Sequence, residues 1–417
     1  MSGDPAREAA FELLRRGSSL GHRADLSEAD AALATEISQG VLRHRAGLDL
    51  RLRRFVHLAS LNRAMRDLLR MGTYQIDFLE RVPDYAAVDG AVELARRHNL
   101  NTGLVNAVLR KIASSGAQAP PVDPLAESLP GWLAERWIRN HGRQRAEDYA
   151  RAALERPSLH LAPNTALTRG PELGGELETQ GVRTEWSGEL LQVITGNPLR
   201  TQAFHDGLFY VIGPSSHAVA GLAARGPLDL VLDCCAAPGG KLIQLKLAGA
   251  RRLVGSDSAR ERMLLVRENL ERMRLRGLAL IVADYCQTPP FRSPFTTVLL
   301  DAPCSGLGVI SKLPEIKWKA REDGIKRHAS RQATMLRHAF SLVSAGGLLI
   351  YSVCSLEPEE GAQVVAQLLR QNRAATIARI DYPPQVEPDR DGFFRFYPRP
   401  GMQDGFFAAA LTKSSLA

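Results

Sequence analysis

Several kinds of segment are missing from this 417-residue sequence. No apolar run approaches the roughly 20 residues that span a bilayer, and no basic-then-apolar leader opens the chain. A cytoplasmic protein without membrane partners is therefore expected. No Cys-x-x-Cys pair occurs among the five cysteines, an odd number confined to the C-terminal half. That spacing disfavours a metal centre and a secreted disulfide framework, and leaves free thiols in reducing surroundings. The glycine-rich turns contain neither the G-x-G-x-x-G of dinucleotide sites nor a Walker A loop. Lysine is scarce: arginine supplies most of the 53 basic residues, which leave a net charge of +8. A polyanion such as nucleic acid suits that balance, although an arginine-rich genome produces it too.

Apolar residues recur at three- and four-residue steps through AREAAFELLRR, ALATEISQGVLRH, NRAMRDLLRMGTYQIDFL and LVNAVLRKIAS. Residues 1–120 therefore read as an all-helical domain. The prolines of SSGAQAPPVDP stop a helix and mark a linker. A small α+β segment, 127–205, follows, with a helix in LPGWLAERWIRNHG and strand-like pieces in SLHLAPN and LLQVI. From 206 to 417 the short apolar strands LDLVLD, RLVGSD, LALIVAD, TTVLLDAP and GLLIYSV alternate with helices. This rhythm predicts a doubly wound, mostly parallel α/β sheet of Rossmann-like type, with FFAAALTK as a further strand.

Ligands bind such sheets at the carboxyl ends of the strands. The first turn is DCCAAPGGK, residues 233–241, whose small side chains let backbone N–H groups approach a ligand beside a helix N-terminus. Asp257 ends the second strand, where an acid receives both ribose hydroxyls, and Asp284 ends the third, in reach of an adenine. Each acid alone also serves as a strand-end turn residue or helix cap. Three at successive strand ends beside this turn indicate a nucleoside cofactor without pyrophosphate, S-adenosylmethionine.

Cys304 follows the fourth strand and Cys354 the fifth, so both open on the cofactor's rim. Cys234 and Cys286 read instead as inert buried thiols. A reactive thiol must ionise, and a helix beginning in EPEEGAQVV offers Cys354 its positive end. A thiolate beside a methyl donor suits methylation of cytosine C5, too weak a nucleophile until sulfur adds at C6. Asp301 can hold the N3 and amino edge of that base, which must be single-stranded or extruded. Spacing alone leaves open which cysteine attacks.

These residues resemble the Sun (Fmu) type bacterial 16S rRNA cytosine-5 methyltransferases over nearly the whole chain. CAAPGGK at 235–241, DAPCSGLG at 301–308, YSVCS at 351–355, LPEIKWK at 313–319 and the terminal DGFFAAAL match, and the helical front end is similar to the NusB RNA-binding fold. The resemblance implies that Cys354 attacks C6 and that Cys304 helps release the product. It further implies cofactor contacts from Cys235, Ala236, Ala237, Pro238, Gly239, Gly240 and Lys241, from Asp257 supported by Arg262, and from Asp284 and Asp301. The chain departs from the family at YVIGPSSHA (210–218), at Val353, at Gly361 and in the KLIQL that begins at Lys241.

Arg51, Arg53, Arg54, Arg63, Arg66 and Arg70 form an expected phosphate track on the helical domain, with Arg96, Arg97, Arg110 and Lys111 further on. Lys312, Lys317, Lys319 and Lys326 gather around Trp318, a pattern suited to a strand with splayed bases. The activity implied is methylation of 16S rRNA, free or in an early small-subunit particle. A tRNA or another rRNA site, or a non-catalytic RNA-binding assembly factor, are the alternatives.

Overall fold

The computed structural model describes residues 4–17, 26–116, 123–381, 388–402 and 404–414. The middle of the expected linker, 117–122, lies outside them. The chain forms two compact units: 1–156 with 310–319 and 399–403, and 157–309 with 320–398 and 404–417. These boundaries differ from the three-part division read from the sequence. The tryptophan-bearing helix joins the helical unit, and so does the LPEIKWK segment.

The helical unit contains α1 (Pro5–Arg16), α2 (Glu28–Leu52), α3 (Arg63–Phe78), α4 (Asp84–Arg97), α5 (Thr102–Ser114), α6 (Pro124–Ser128), α7 (Gly131–His141) and α8 (Arg143–Ala152). Asp4, Ser27, Asn62 and Asn101 cap α1, α2, α3 and α5 by accepting backbone N–H bonds that a helix start cannot satisfy internally. The apolar faces meet in one core with Phe11, Ile37, Leu48, Leu68, Leu69 and Leu109 fully buried. Gly40 lets α2 and α3 approach closely: a Cβ there would lie 1.9 Å from the Tyr74 ring.

Two arginines of the expected phosphate track belong to this interior. Arg70 is 4% exposed and bonds Asp49 at 2.7 and 2.8 Å and Asp67 at 2.7 Å. Arg51 is buried with its Nε 3.0 Å from Asp77. Carboxylates on neighbouring turns and helices draw both guanidinium groups inward, because a charge is tolerated inside only when paired. Arg53, Arg54 and Arg63 remain exposed and Arg66 partly so.

In the second unit, β1 (His160–Pro163), α9 (Gly170–Thr179), β2 (Arg183–Ser187), β3 (Leu190–Thr195), α10 (Gln202–His205) and β4 (Phe209–Val211) build a small antiparallel sheet of order β2-β3-β1-β4. The larger sheet follows from α11 (Pro214–Ala223), β5 (Leu230–Asp233), α12 (Gly240–Leu247), β6 (Arg252–Asp257), α13 (Arg260–Arg272), β7 (Leu278–Val282) and β8 (Phe295–Asp301). The chain then gives α14 (Ile316–Lys319) to the helical unit and resumes with α15 (Glu322–Ser341), β9 (Val343–Val353), α16 (Ala362–Gln371), β10 (Ala375–Ile377), β11 (Phe394–Phe396) and β12 (Phe406–Lys413).

The large sheet runs β10-β12-β9-β8-β5-β6-β7, with β11 beside β12, and is parallel from β9 through β7. Successive side chains alternate between its faces. Val231, Leu299 and Ile350 pack with α11, α12 and α13, while Leu232, Val298, Leu300, Leu349 and Tyr351 pack with α15 and α16. Both faces are covered, so the strands read as continuous apolar runs. The strand order reverses between β5 and β8, and the crevice at their carboxyl ends is where a ligand is received.

Arg70→Ala would strip Asp49 of its bonded cation and leave Asp67 only the exposed Arg63, whose Nε lies 3.5 Å away, and is expected to cost on the order of 3 kcal/mol, whereas Arg63→Ala should stay within about 0.5 kcal/mol. Thermal unfolding of the two variants checks this; equal melting temperatures would refute the inward placement of Arg70.

Candidate active site

The strand ends at the crevice are acidic and locally self-organised. Asp233, Asp257 and Asp284 each turn one carboxylate oxygen onto the backbone N–H two residues on, those of Cys235 (3.2 Å), Ala259 (3.1 Å) and Cys286 (2.9 Å). The turn-forming role read from the sequence is thus present in all three side chains. Asp257 is 2% exposed and pairs with Arg262 Nη2 at 2.6 Å, the supporting contact expected. Asp233 is buried beneath them. Burial pushes its carboxyl up to about 7 despite the opposing charge of Lys241, and its Oδ2 has no partner among the described residues.

A cavity of about 320 Å³ opens here. Of the expected cofactor residues, Cys235, Ala237, Asp257, Asp284 and Asp301 line it. Ala236, Pro238, Gly239 and Gly240 form the turn into α12 instead: Ala236 N–H donates to Ser256 O at 2.8 Å, and Gly239 has a φ of 115°. Lys241 reaches the wall through Asp301, its Nζ 2.5 Å from Oδ2. The other Asp301 oxygen accepts from Ser352 Oγ at 2.7 Å, across the β8–β9 register that pairs the two residues. Burial alone would lower the Lys241 ammonium. The Asp301 charge and hydrogen bond, with Asp233 and Cys354, hold it above its ordinary value instead.

Both expected thiols line the same cavity, half-buried, with their sulfurs 2.9 Å apart. The loops that carry them are joined by backbone: Gly308 N–H donates to Cys354 O at 3.0 Å, and Gly405 N–H donates to Gly308 O at 2.6 Å. A Cβ at 308 would meet Gly405 O at 1.9 Å, so only glycine fits. The helix expected in EPEEGAQVV begins within that segment, at Ala362. Residues 357–361 instead close a turn in which Glu360 and Gly361 N–H both donate to Glu357 O. Lys241 is a positive group whose charge acts on Cys354.

Cys234 is buried as expected. Cys286 is not: it is half-buried, and Arg331 Nε donates to its sulfur at 3.1 Å. Arg331 and Met335 of α15 and Tyr285 complete the lining and were missed in the sequence. So was Ser352, although period-two alternation along β9 was the signal that could have set it beside Asp301. The departures at Val353 and Gly361 do not line the cavity. Both pack at Phe407, whose ring would lie 2.8 Å from a Cβ at 361. Leu242, in the departing KLIQL, is fully buried core.

The helical unit holds a second cavity, of about 380 Å³, whose basic lining residues outnumber the acidic by six to two. The Arg45 guanidinium lies over the Trp318 ring, 4.8 Å from its centroid, and Trp318 Nε1–H donates to Leu42 O at 2.7 Å. Burial, then the charge of Arg70, lowers the Arg45 guanidinium. Arg66 Nε is buried with no partner among the described residues. Arg63 and Lys319 complete the rim. The expected lysine group is split by the fold. Lys326 lies in the other unit, and Lys317 is fully buried: its Nζ donates to Arg43 O at 2.8 Å, and burial pushes it down to about 7. The Trp318 face expected for base stacking is covered by Arg45.

Among the described residues no cluster of His, Cys, Asp or Glu could hold a metal ion, and no helix is long and apolar enough to cross a membrane. Residues 222–412 match the family model 16S rRNA methyltransferase RsmB/F, and residues 4–114 match the NusB family. The chain is 30% identical to the probable ribosomal RNA small subunit methyltransferase B of Bacillus subtilis, over 93% of this chain and 92% of that protein. In structure it is similar to PH0851 (TM-score 0.80, 24% identity, 99% of both chains). It is also similar to NSun6 from Pyrococcus horikoshii, solved with SFG (TM-score 0.61, 21% identity, 68% of this chain and 98% of that one). With both models matched and the identity sustained over nearly its whole length, the chain belongs to the RsmB/F family of 16S rRNA methyltransferases and carries a NusB domain.

Proposed function

We propose that this rRNA methyltransferase transfers a methyl group to C5 of a cytosine in 16S rRNA, with Cys354 as the nucleophile. The observation that carries the reading is the pair of thiols on the wall of a cavity whose other walls are the acids of successive strand ends. The residues present fit S-adenosylmethionine. Asp257 and Asp284 offer acceptors for hydroxyl and amino groups and the 235–241 turn offers backbone N–H groups, while behind the lining Asp233 Oδ2 is a buried acceptor without a donor among the described residues. When bound, that cofactor supplies an electrophilic methyl group. The similar NSun6 fold was solved with SFG, an analogue of the same cofactor.

The chain's own residues then have these roles. The Cys354 thiolate adds to C6 of the base, which moves electron density onto C5. Asp301 is fixed in orientation by Lys241 and Ser352, and is an acceptor for the exocyclic amino group of cytosine. The Lys241 ammonium offsets the negative charge at Asp301 and stabilises a thiolate at Cys354. After transfer the C5 proton passes to solvent, its electron pair restores the C5–C6 double bond, and the C6–S bond breaks so that Cys354 leaves as the thiolate. Cys304, 2.9 Å from Cys354, assists that release. The cavity beside Arg45, Arg66 and Trp318 receives an RNA phosphate: half-buried guanidinium groups with no carboxylate bonded to them among the described residues favour an anion there.

Given labelled donor and unmethylated small-subunit rRNA, the protein should place its methyl on cytosine C5, as read by bisulfite mapping. Cys304→Ala should accumulate a covalent protein–RNA adduct on denaturing gels, and Cys354→Ala should not. The reverse pattern would exchange the two roles, and RNA binding without methylation would favour an assembly factor. The double variant Arg45→Ala, Arg66→Ala should weaken RNA binding and flatten its dependence on log salt by about one unit for each phosphate no longer neutralised. Donor affinity should be unchanged; an unaltered salt slope would exclude this cavity from the RNA path.

A further inference from the structure

Glu360 is fully buried, and the partners of its carboxylate among the described residues are all neutral. Oε1 accepts from Ser305 N–H at 2.7 Å and from Gln332 Nε2 at 3.2 Å, and Oε2 accepts from Ser305 Oγ at 2.5 Å. Gln332 also donates to Pro303 O at 3.0 Å. The residues on both sides of Cys304 are thereby held, and one of the grips is an uncompensated negative charge. The Tyr351 hydroxyl, donating to Glu360 O at 2.5 Å, fixes the acid in turn. A buried carboxylate without a cation is costly, and a hydrogen-bonded amide would grip Ser305 nearly as well. The charge itself therefore calls for an explanation.

We infer that Glu360 is a positioning residue that keeps the proton on Cys304, so that ionisation of the thiol pair falls on Cys354. The inference rests on the reading of Cys354 as nucleophile. The Cys354 S–H bond breaks, the electron pair stays on sulfur and the proton passes to solvent. Cys304 keeps its own proton and donates it across the 2.9 Å gap as a hydrogen bond. Two opposite charges set this direction: Glu360 on the Cys304 side and Lys241 on the Cys354 side. The hydrogen bond with Cys354, then burial, then the charges of Cys354 and Glu360, all push the Cys304 thiol up. The other ionisable groups nearby are Asp301, Tyr351 and, along the cavity, Asp257, Asp284, Arg262, Arg331 and the burial-raised Cys234, Cys235 and Tyr285. Asp301 is engaged by Lys241 and Asp257 by Arg262, which leaves Glu360 as the acid bonded directly to the Cys304 loop.

The test is alkylation of the full-length protein by iodoacetamide across pH, with each cysteine quantified by mass spectrometry. In the unmodified protein Cys354 should label at lower pH than Cys304. Glu360→Gln preserves the acceptor at Ser305 N–H and removes the charge, and should lower the Cys304 labelling midpoint by about one unit or more. Glu360→Asp keeps the charge and should leave Cys304 the later thiol to label. Cys304 labelling before Cys354 in the unmodified protein would overturn the inference, whether or not the variants fold. So would an unchanged Cys304 midpoint in a Glu360→Gln protein of native melting temperature. Neither RNA nor donor takes part, so a failed adduct experiment with the expected labelling order would reject the catalytic reading alone.

Discussion

The ion pair between Lys241 and Asp301 joins the two sides of the crevice at which strand order reverses. Lys241 opens α12 behind β5, and Asp301 ends β8 on the other side of the switch. Their side chains are only 16% and 21% exposed, so loss of either would leave a charge in low dielectric, at a cost of about 3–5 kcal/mol. Ser352 on β9 completes the anchorage. Through these three side chains the cofactor turn, the strand that leads to Cys304 and the strand that leads to Cys354 are held in one arrangement. The main-chain bonds at Gly308 extend that arrangement into the loops where the thiols sit.

Fold and chemistry share atoms throughout this unit. The acids that face a ligand also close the turns that aim them, and Gly308 is both a packing requirement and the tie between the thiol loops. Val353 and Gly361, by contrast, stand outside the cavity lining. Those positions answer to the Phe407 ring and the core behind it.

The sheet was legible because buried parallel strands leave continuous apolar runs, and each ended in an acid or a thiol that marked the carboxyl edge. Cys304, Cys354, Asp257, Asp284 and Asp301 could be placed on one rim from that rhythm alone. The preference for one sulfur over the other could not, since it depends on which charges the fold brings beside them. Glu360 and Ser352 were hidden for the same reason, as polar residues in segments that read as a helix start and a strand. The basic track was overread at Arg51 and Arg70, because a helical repeat does not reveal a carboxylate waiting on the facing helix. Lys317 misled in the same way: LPEIKWK looks like an exposed basic stretch until residues 310–319 are found within the helical unit.

That ten-residue excursion carries a consequence for handling the chain. Residues 310–319 and 399–403 leave the methyltransferase half and return, so the polypeptide changes unit at five points rather than one. A module released by one cut near residue 120 would forfeit the indole that sits under Arg45 and the ammonium that satisfies the Arg43 carbonyl. The helical unit is therefore not one continuous stretch of chain but is completed by residues 310–319 and 399–403.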